Sequence, residues 1–345
     1  MPKKAARGAR ILVAGSLFDA GSAALAGLII NLETPMAPRP LIIDCDPGVD
    51  DAIALFLAFA CPDALDVRSL TTVAGNVGGA LTARNARLIR EIAGRTDVPV
   101  FSGCDRPMVR APIDAGRFHG ESGLGAMAVF EPKAAGEKAH AVSYLVEALM
   151  AAPAGEVTLA VTGPMTNVAM AFVLEPRLAG RVREIVVMGG ARSEGGNITA
   201  SAEYNIFADP HAAQVVFASG APITVFGLDA THQVRSAPQR IDAIRAIGTP
   251  QAKASADLLE FSASVERNIP GVDGAPLHDP CTIAYLLEPE LFDCLPCAVR
   301  VETNEGVALG HTAVEFRDAG STRTRWATKA DGEGVFALLI DRLSR

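Results

Sequence analysis

The sequence predicts an α/β fold in a single domain, with a mainly parallel, open, Rossmann-like sheet flanked by helices. From residue 40 onward, short runs rich in β-branched residues alternate with longer amphipathic segments, which is the pattern of successive βα units. Polar residues also gather directly after the predicted strands, where open α/β sheets bind their ligands. We therefore expect a functional site at the carboxyl edge of the sheet.

The predicted strands, in chain order, cover residues 41–44, 67–74, 98–102, 157–162, 184–188 and 223–228. The predicted helices cover residues 50–60, 80–93, 139–151, 165–174, 210–218, 279–287 and 334–343. Each strand ends in a glycine or a polar turn, and the helical runs are amphipathic. No internal repeat or low-complexity segment interrupts residues 36–345, which we assign to one catalytic domain.

Residues 1–35 precede this pattern and are predicted to be an N-terminal extension of uncertain role. Basic residues near the start are followed by an apolar run over 11–30, which resembles a signal peptide or a membrane span. Asp19 interrupts the run, and a charge near the centre of a span costs roughly 2.5–3.5 kcal/mol. We therefore expect no membrane crossing, with a cleaved leader or a mis-assigned start before Met36 as the alternatives.

The composition bounds the partners and the compartment. With 31 basic and 39 acidic residues the net charge is −8, which argues against a nucleic-acid or anionic-membrane partner and favours a small ligand. Six cysteines in 345 residues give no disulfide framework, so we expect the cytoplasm. Cys294 and Cys297 have CxxC spacing, but neither a second pair nor a histidine cluster accompanies them. We interpret both as apolar residues near a strand.

The strongest local signal is an acidic loop after the first strand, where Asp44, Asp46, Asp50 and Asp51 fall within eight residues. Carboxylates this close raise one another's pKa unless a cation neutralises them. Oxygen-only donors favour a hard divalent ion, and calcium accepts six to eight such ligands, whereas zinc is disfavoured. In the structural alternative, Asp50 and Asp51 complement the dipole of the next helix, while Asp44 and Asp46 cap the turn. That alternative would account for two of the four residues.

Two other metal-dependent classes are alternatives for the same loop. An EF-hand is disfavoured because the 12-residue spacing and the closing glutamate are missing. A magnesium phosphatase of the haloacid dehalogenase type also opens with strand-Asp-x-Asp, and Asp44 would then be its nucleophile. In that scheme a threonine or valine usually follows the second aspartate, whereas here Pro47 and Gly48 follow it.

The segment DCDPGVDDA at 44–52 closely resembles the opening motif of the inosine-uridine-preferring nucleoside hydrolases. Six later blocks resemble that family in its own order: TVAGN at 72–76, HGESG at 119–123, TGPMTN at 162–167, MGG at 188–190, EYNIFADP at 203–210 and HDP at 278–280. The resemblance covers about residues 40–345. It implies the nucleoside hydrolase fold and hydrolysis of the N-glycosidic bond of purine and/or pyrimidine ribonucleosides to ribose and free base.

The resemblance also implies a role for individual residues. One calcium ion would be held by Asp46, Asp51, Asp279 and the backbone carbonyl of Thr162, with the ribose hydroxyls and a water completing its shell. Asp46 would also be the general base. The implied ribose contacts are Asp50 and Asn205 to the 2′- and 3′-hydroxyls, Asn197 and Glu203 to the 5′-hydroxyl, and Asn76 and Met188 along the pocket wall.

The chemistry of the reaction accounts for these residue types. Cleavage passes through an oxocarbenium-like transition state, which needs a water nucleophile, negative charge near the sugar and help for the leaving base. His278, beside Asp279, suits a general acid because imidazole titrates near neutral pH. His119 lies in a glycine-rich loop and is a weaker candidate for a contact with the substrate, and His232 is weaker still.

One departure from the family concerns the base. Some relatives carry aromatic residues before the HDP block, but residues 268–277 contain neither tyrosine nor tryptophan, and their glycines and proline predict a mobile loop that closes over the ligand. Relatives are commonly tetramers or dimers, so a homo-oligomer is expected by analogy. The non-catalytic alternative is a ribose- or nucleoside-binding module that has lost its activity.

Overall fold

A nine-stranded sheet runs through the part of the chain that the structure describes. The structure is a computed structural model, and it describes residues 37–113, 115–266, 274–317 and 322–345. The strands are β1 (Arg39–Cys45), β2 (Leu65–Thr72), β3 (Val100–Ser102), β4 (Thr158–Val161), β5 (Glu184–Met188), β6 (Ile223–Phe226), β7 (Phe292–Val301), β8 (Thr312–Glu315) and β9 (Thr324–Ala330). Their order across the sheet is β3-β2-β1-β4-β5-β6-β9-β7-β8. Only β7 runs antiparallel to its neighbours, so the predicted mainly parallel open sheet is confirmed.

Helices connect the strands and cover the sheet. They are α1 (Val49–Phe59), α2 (Gly79–Ile92), α3 (Gly116–His119), α4 (Ala141–Ala151), α5 (Thr166–Leu174), α6 (Tyr204–Ala208), α7 (Pro210–Phe217), α8 (Leu228–Thr231), α9 (Pro238–Ile247), α10 (Pro250–Glu266), α11 (Pro280–Leu287) and α12 (Gly332–Leu343). Short 3₁₀ turns occupy Pro176–Gly180 and Pro289–Leu291. The six predicted strands and seven predicted helices are all found, each within two residues at both ends.

Several elements were not predicted from the sequence. These are β7, β8 and β9 at one end of the sheet, the helices α9 and α10, and the short helices α3, α6 and α8. The burial pattern along β7 is irregular, because an edge region of the sheet exposes parts of both faces. The helix α10 packs on α1, but its apolar residues show only a weak helical periodicity in the sequence.

The core forms on the two faces of the sheet, and alternate residues of β1 contribute to each. Leu41 and Ile43 join the cluster that contains α1 and α10, whereas Ile42 joins the cluster that contains α4, α5 and α7. This alternation is the two-residue period of a strand that is buried on both sides. Nearly all of α1 is buried as well, because α10, α11 and α12 pack against it.

The strand order creates a crevice between β1 and β4. The chain passes from β1 to β2 and β3 on one side, and then returns to β4 and continues through β5 and β6 on the other. Such a reversal is a topological switch point, where the loops after the two central strands diverge and leave room for a ligand. The N–H of Thr162 donates to the carbonyl of Asp44 at 2.9 Å, which joins the two strand ends at this point.

Two sequence predictions concern residues that the structure does not describe. The N-terminal extension over residues 1–35, including the apolar run, lies outside the described residues, as does most of the predicted mobile loop, residues 267–273. Within the described ranges, no helix has the length and apolar character that a membrane span requires.

Trp326, the single tryptophan of the chain, is fully buried on β9. Its neighbour on β6 is Val225. A Cβ atom at Gly227 would lie 2.3 Å from the indole ring, and one at Gly190 would lie 2.9 Å from it. The ring therefore packs directly against the loops that follow β5 and β6 at the carboxyl edge of the sheet.

We expect Trp326→Ala to lower the free energy of unfolding by about 3–5 kcal/mol, because it opens a large cavity beneath two loops. Urea denaturation followed by circular dichroism measures this change. Val307→Ala is the matched control, since Val307 is 98% exposed and its truncation should change stability by less than about 0.5 kcal/mol. A loss below about 1 kcal/mol for Trp326→Ala would contradict the packing role.

Candidate active site

The loop between β1 and α1 places Asp51 against the end of β4. Asp51 is fully buried, and its Oδ2 accepts the N–H of Gly48 at 3.0 Å, which closes the N-terminus of α1. Its Oδ1 accepts the hydroxyl hydrogen of Thr162 at 2.8 Å. Burial and the charge of Asp50 raise the pKa of Asp51 to about 7. Asp51 therefore completes the capping box of α1 and also faces the residue after β4, whereas the structural alternative expected it only to complement the helix dipole.

Asp46 lies between two glycines with one carboxylate oxygen unbonded. Its Oδ2 accepts the N–H of Asn76 at 2.6 Å, while Oδ1 is buried without a hydrogen-bond partner among the described residues. A Cβ atom at Gly75 would lie 2.0 Å from Oδ2, and one at Gly163 would lie 2.5 Å from Oδ1. Only glycine leaves room at these positions. Burial, and then the charge of Asp51, raise the pKa of Asp46 well above its usual value.

Asp50, Asp51 and Asp279 form a group of carboxylates that could hold a metal ion. Each offers one oxygen, and these oxygens lie within 4.8 Å of one another. The N–H of Asp279 also donates to Oδ2 of Asp50 at 3.4 Å. Burial, and then the charge of Asp50, raise the pKa of Asp279 well above its usual value. Acids this close ionise together only when a cation compensates them, and a donor set of oxygens suits a hard divalent ion.

The family resemblance implied four metal ligands: Asp46, Asp51, Asp279 and the carbonyl of Thr162. The structure brings Asp51 and Asp279 together and adds Asp50, which was predicted only as a substrate contact. Asp46 is not a member of this three-residue group, although its charge contributes to the raised pKa of Asp279. The carbonyl of Thr162 accepts a hydrogen bond from Nδ2 of Asn205 at 2.8 Å, which leaves its second lone pair for another partner.

A cavity opens above these carboxylates, with an empty volume of about 910 Å³ that includes solvent at its mouth. All seven predicted substrate contacts line it: Asp50, Asn76, His119, Met188, Asn197, Glu203 and Asn205. Thr162, His278 and Asp279 line it too. Asp46 and Asp51 are fully buried and do not line it.

Hydrogen bonds fix the polar residues on the β5 side of the cavity. Glu203 caps α6, and its two carboxylate oxygens accept the N–H groups of Gly190 at 2.8 Å, Asn205 at 2.9 Å and Ile206 at 3.2 Å. Burial raises the pKa of Glu203 despite these bonds. Oδ1 of the exposed Asn197 accepts the N–H of Tyr204 at 2.9 Å. These side chains are thus held in place before any ligand arrives.

Two histidines on the opposite wall each have one ring nitrogen in a hydrogen bond. Nδ1 of His119 accepts the N–H of Val49 at 3.0 Å, so this ring is neutral with its proton on Nε2. Nδ1 of His278 lies 2.8 Å from Oγ1 of Thr231. Burial lowers the pKa of both imidazoles, that of His278 to about 4. In each ring Nε2 is the nitrogen left for a ligand.

His232 is a weak candidate from the sequence alone, yet the structure places it in the cavity wall next to His278. The two ring centres are 5.9 Å apart, with the planes tilted by 54°. Nδ1 of His232 lies 3.1 Å from Oε2 of Glu194. The sequence contains no local signal for this arrangement, because Glu194, His232 and His278 lie in three segments that are distant from one another along the chain.

Other cavity residues were also missed, namely Ala115, Phe118, Ile198, Tyr204, Ser262 and Val265. Ala275 and Pro276 also line the cavity, and they belong to the loop that was predicted to close over the ligand. Ser262 and Val265 belong to α10, which the sequence did not predict. Tyr204 donates its hydroxyl hydrogen to the carbonyl of Gly75 at 2.7 Å, which ties α6 to the loop after β2. Its position next to Glu203 in the EYNIFADP block was the one available sequence signal.

Asp44 does not face the cavity. Its Oδ1 accepts hydrogen bonds from Oγ1 of Thr71 at 2.5 Å and from Nδ2 of Asn167 at 2.8 Å, and its side chain is fully buried. Burial raises the pKa of Asp44 to about 7. A carboxylate enclosed in this way is not placed to attack a phosphate, so the geometry gives no support to the phosphatase alternative.

The chain matches the family model described as inosine-uridine preferring nucleoside hydrolase over residues 41–337. It is 47% identical to the pyrimidine-specific ribonucleoside hydrolase RihA of Photobacterium profundum over 309 residues, which covers 89% of this chain and 99% of that protein. It is 38% identical to the inosine-uridine preferring nucleoside hydrolase of Crithidia fasciculata over 311 residues, covering 89% and 98% of the two chains.

A solved structure agrees with these sequence matches. The fold is similar to that of the plant nucleoside hydrolase PpNRh1, with a TM-score of 0.83, 34% sequence identity, and coverage of 89% of this chain and 99% of that one. The family motifs, the acidic group and the cavity thus occur together on the same fold. The chain belongs to the inosine-uridine preferring nucleoside hydrolase family, and it is a ribonucleoside hydrolase that acts as an N-glycosidase.

Proposed function

We propose that the protein hydrolyses the N-glycosidic bond of purine and/or pyrimidine ribonucleosides in a calcium-dependent reaction, for nucleoside salvage. The observation that carries this proposal is the group of three carboxylates, Asp50, Asp51 and Asp279, two of which, Asp50 and Asp279, line the cavity. The names of two relatives are compatible with both classes of base. Uridine fits both names, since it is itself a pyrimidine ribonucleoside, and it is the first substrate to test.

Calcium is the ion we propose, held by Asp46, Asp51, Asp279 and the carbonyl of Thr162, with Asp50 next to it. Three features of the chain support this ligand set: the donors are all oxygen, Oδ1 of Asp46 lacks a partner among the described residues, and the pKa values of Asp46, Asp51 and Asp279 are raised. When bound, the ion supplies positive charge that orients the ribose hydroxyls and makes a nearby water more acidic.

Asp46 is proposed as the general base. Its Oδ2 is fixed by the N–H of Asn76, and its Oδ1 is available to take a proton from the attacking water. Gly75 and Gly163 hold this carboxylate on both sides, so little reorganisation is needed during the reaction.

The ribose contacts follow the fixed polar residues of the cavity. Asp50 and Asn205 are proposed to bind the 2′- and 3′-hydroxyls, and Asn197 and Glu203 the 5′-hydroxyl. Asn76 and Met188 are proposed to line the ribose pocket. Asn205 is already oriented, because its Nδ2 donates to the carbonyls of Thr162 and Met188 at 2.8 and 3.2 Å. Its Oδ1 therefore points away from these two carbonyls and can accept a hydrogen bond.

His278 is proposed as the proton donor to the leaving base, and His119 as a contact with the substrate. Both present Nε2 because Nδ1 is engaged, by Thr231 and by Val49 respectively. The negative charge of Asp50 favours the protonated form of both rings and partly offsets the effect of burial on their pKa. Protonation of the base lets it depart as a neutral molecule.

The oligomeric state and the cellular compartment are each proposed from a single observation. A homo-oligomer, dimer or tetramer, is supported by the family resemblance, and light scattering would give its mass. The cytoplasm is supported by the six cysteines, all of which are free thiols.

The first experiment measures reducing-sugar release from inosine, uridine, cytidine and adenosine, with calcium and after chelation. We expect release from at least one of them that is lost on chelation and restored by adding calcium back. Equal rates after thorough chelation would contradict the calcium requirement. Tight nucleoside binding without any release would instead favour the inactive binding module.

We expect Asp46→Asn to lower kcat by at least ~10²- to 10⁴-fold, the usual contribution of a positioned general base. The amide retains the shape of the side chain but cannot accept the proton. Asp66→Asn is the matched control, because Asp66 is exposed on β2 and far from the cavity. Steady-state kinetics on uridine measures both variants. Full turnover by Asp46→Asn would refute the assignment of the base.

Calcium binding should depend on pH. Protons compete with the ion for Asp51, whose pKa is about 7, and for Asp46 and Asp279, whose pKa values are raised further. The calcium affinity should therefore fall as the pH falls through 7. In the calcium-free protein, a raised folded-state pKa contributes stability that is present at low pH and is lost as the pH rises from about 4 through 7.

Thermal unfolding at pH 6 and pH 8, with calcium and with a chelator, measures both effects. The rise in Tm on adding calcium should be larger at pH 8, and the chelated protein should melt at a higher temperature at pH 6. Asp51→Asn should weaken both pH dependences, because it removes one of the titrating groups. A calcium-induced rise in Tm that is the same at both pH values would show that these carboxylates do not bind the ion.

A further inference from the structure

The short helix α8 controls the surroundings of His278 through two consecutive residues. Thr231 ends the helix, and its Oγ1 lies 2.8 Å from Nδ1 of His278. His232 follows directly, and its ring centre lies 5.9 Å from that of His278. Both histidines line the cavity. This wall of the cavity therefore holds two imidazoles side by side, and the proposed reaction uses one of them.

Glu194 fixes the orientation of the second imidazole. Its Oε2 lies 3.1 Å from Nδ1 of His232, so Nε2 is the ring nitrogen that can reach a group in the cavity. A carboxylate on Nδ1 holds an imidazole in one tautomer and supplies a counter-charge when the ring carries a second proton. The side chain of His232 is 26% exposed, which leaves a route for protons from solvent.

The loop that carries Glu194 is itself anchored to α8. Asp229, on this helix, accepts the N–H groups of Arg192 and Ser193, each at 2.8 Å, and the hydroxyl hydrogen of Ser193 at 2.5 Å. The two residues before Glu194 are thus fixed to the helix that precedes His232. This anchoring distinguishes the Glu194–His232 pair from an isolated surface ion pair, whose geometry is usually loose.

We propose that His232, oriented by Glu194, is a second proton-donating residue for the leaving base, acting beside His278. This inference rests on the proposed hydrolysis and extends it. His232 would contact the base or the imidazole of His278, and Glu194 would be a positioning residue that acts through His232. The ligand class is a heterocyclic base that must gain a proton as its bond to ribose breaks.

The proton balance of the step is closed. The C1′–N bond breaks and its electron pair stays on the base, while a water oxygen bonds to C1′. Asp46 takes one proton from that water, and the histidine pair gives one proton to a nitrogen or oxygen of the base. The products are ribose and the neutral base. The proton on Asp46 then returns through solvent to the histidines, and no oxidant or other co-reactant is needed.

The test compares two substrates with different leaving groups. Uridine needs a proton on its base as it departs, whereas p-nitrophenyl β-ribofuranoside releases a stable anion and needs none. We expect His232→Gln to lower kcat on uridine by on the order of 10²-fold. The same variant should change kcat on the p-nitrophenyl substrate by less than about threefold, since donor loss does not affect that reaction. An equal loss on both substrates, or none on uridine, would overturn the proposal.

Glu194→Gln separates the charge from the hydrogen bond, because its amide oxygen can still accept from Nδ1. We expect a smaller loss than for His232→Gln, again confined to uridine. The double variant His232→Gln with His278→Gln tests whether the pair acts together. Its loss on uridine should fall short of the product of the single losses, because residues that act as a unit are not additive. Fully multiplicative losses would overturn the shared role.

Controls distinguish a failure of this inference from a failure of the hydrolase assignment. His140→Gln and Glu305→Gln change the same residue types at exposed positions outside the cavity and should leave both rates unchanged. If the unmodified protein hydrolyses neither substrate, the proposed function fails. If it hydrolyses both and His232→Gln slows them equally while thermal unfolding is unchanged, only the donor role of His232 fails.

Discussion

The structure depends most on the burial of several carboxylates in one place. Asp46, Asp51 and Asp279 are each at most 3% exposed, and Asp50 lies beside them. Removing ionised groups from water costs several kcal/mol for each ion after relaxation, and mutual repulsion adds to that cost. The raised pKa values of the three buried acids record this penalty. A bound cation offsets this free-energy cost with a positive charge that the chain itself does not supply.

The surrounding backbone makes this arrangement possible. N–H groups of Gly48 and Asn76 point at carboxylate oxygens, and Gly75 and Gly163 omit the side chains that would fill the same space. These residues come from the loops after β1, β2 and β4, which are adjacent only because the strand order reverses between β1 and β4. The topology thus determines where the acidic site can form, and the glycines determine how close the backbone comes to Asp46.

Asp46, Asn76 and Thr162 follow predicted strands, so the sequence places them at the carboxyl edge of the sheet. Cavity residues that lie on helices absent from the sequence prediction could not be placed in this way. Ser262 and Val265 lie on α10, whose apolar face is defined by packing on α1.

Pairings distant in sequence were equally hidden. The Thr231–His278 and Glu194–His232 hydrogen bonds join residues 47 and 38 positions apart. No local pattern encodes such pairs, because each partner is ordinary in its own segment. The membership of Asp50 in the metal group has the same origin, since it depends on Asp279, which lies 229 positions away.

The residues that line the cavity are supported in two ways. Asn76, Thr162 and Met188 are buried and lie at or shortly after strand ends, where a substitution disturbs the core. Phe118 on α3, Ser262 and Val265 near the end of α10, and Ala275 and Pro276 in a loop lie away from the strands. Loops and short elements on a rigid scaffold tolerate substitution more readily than strands do. Substitutions in the second set can therefore change the shape of the cavity while the sheet and the acidic group stay the same.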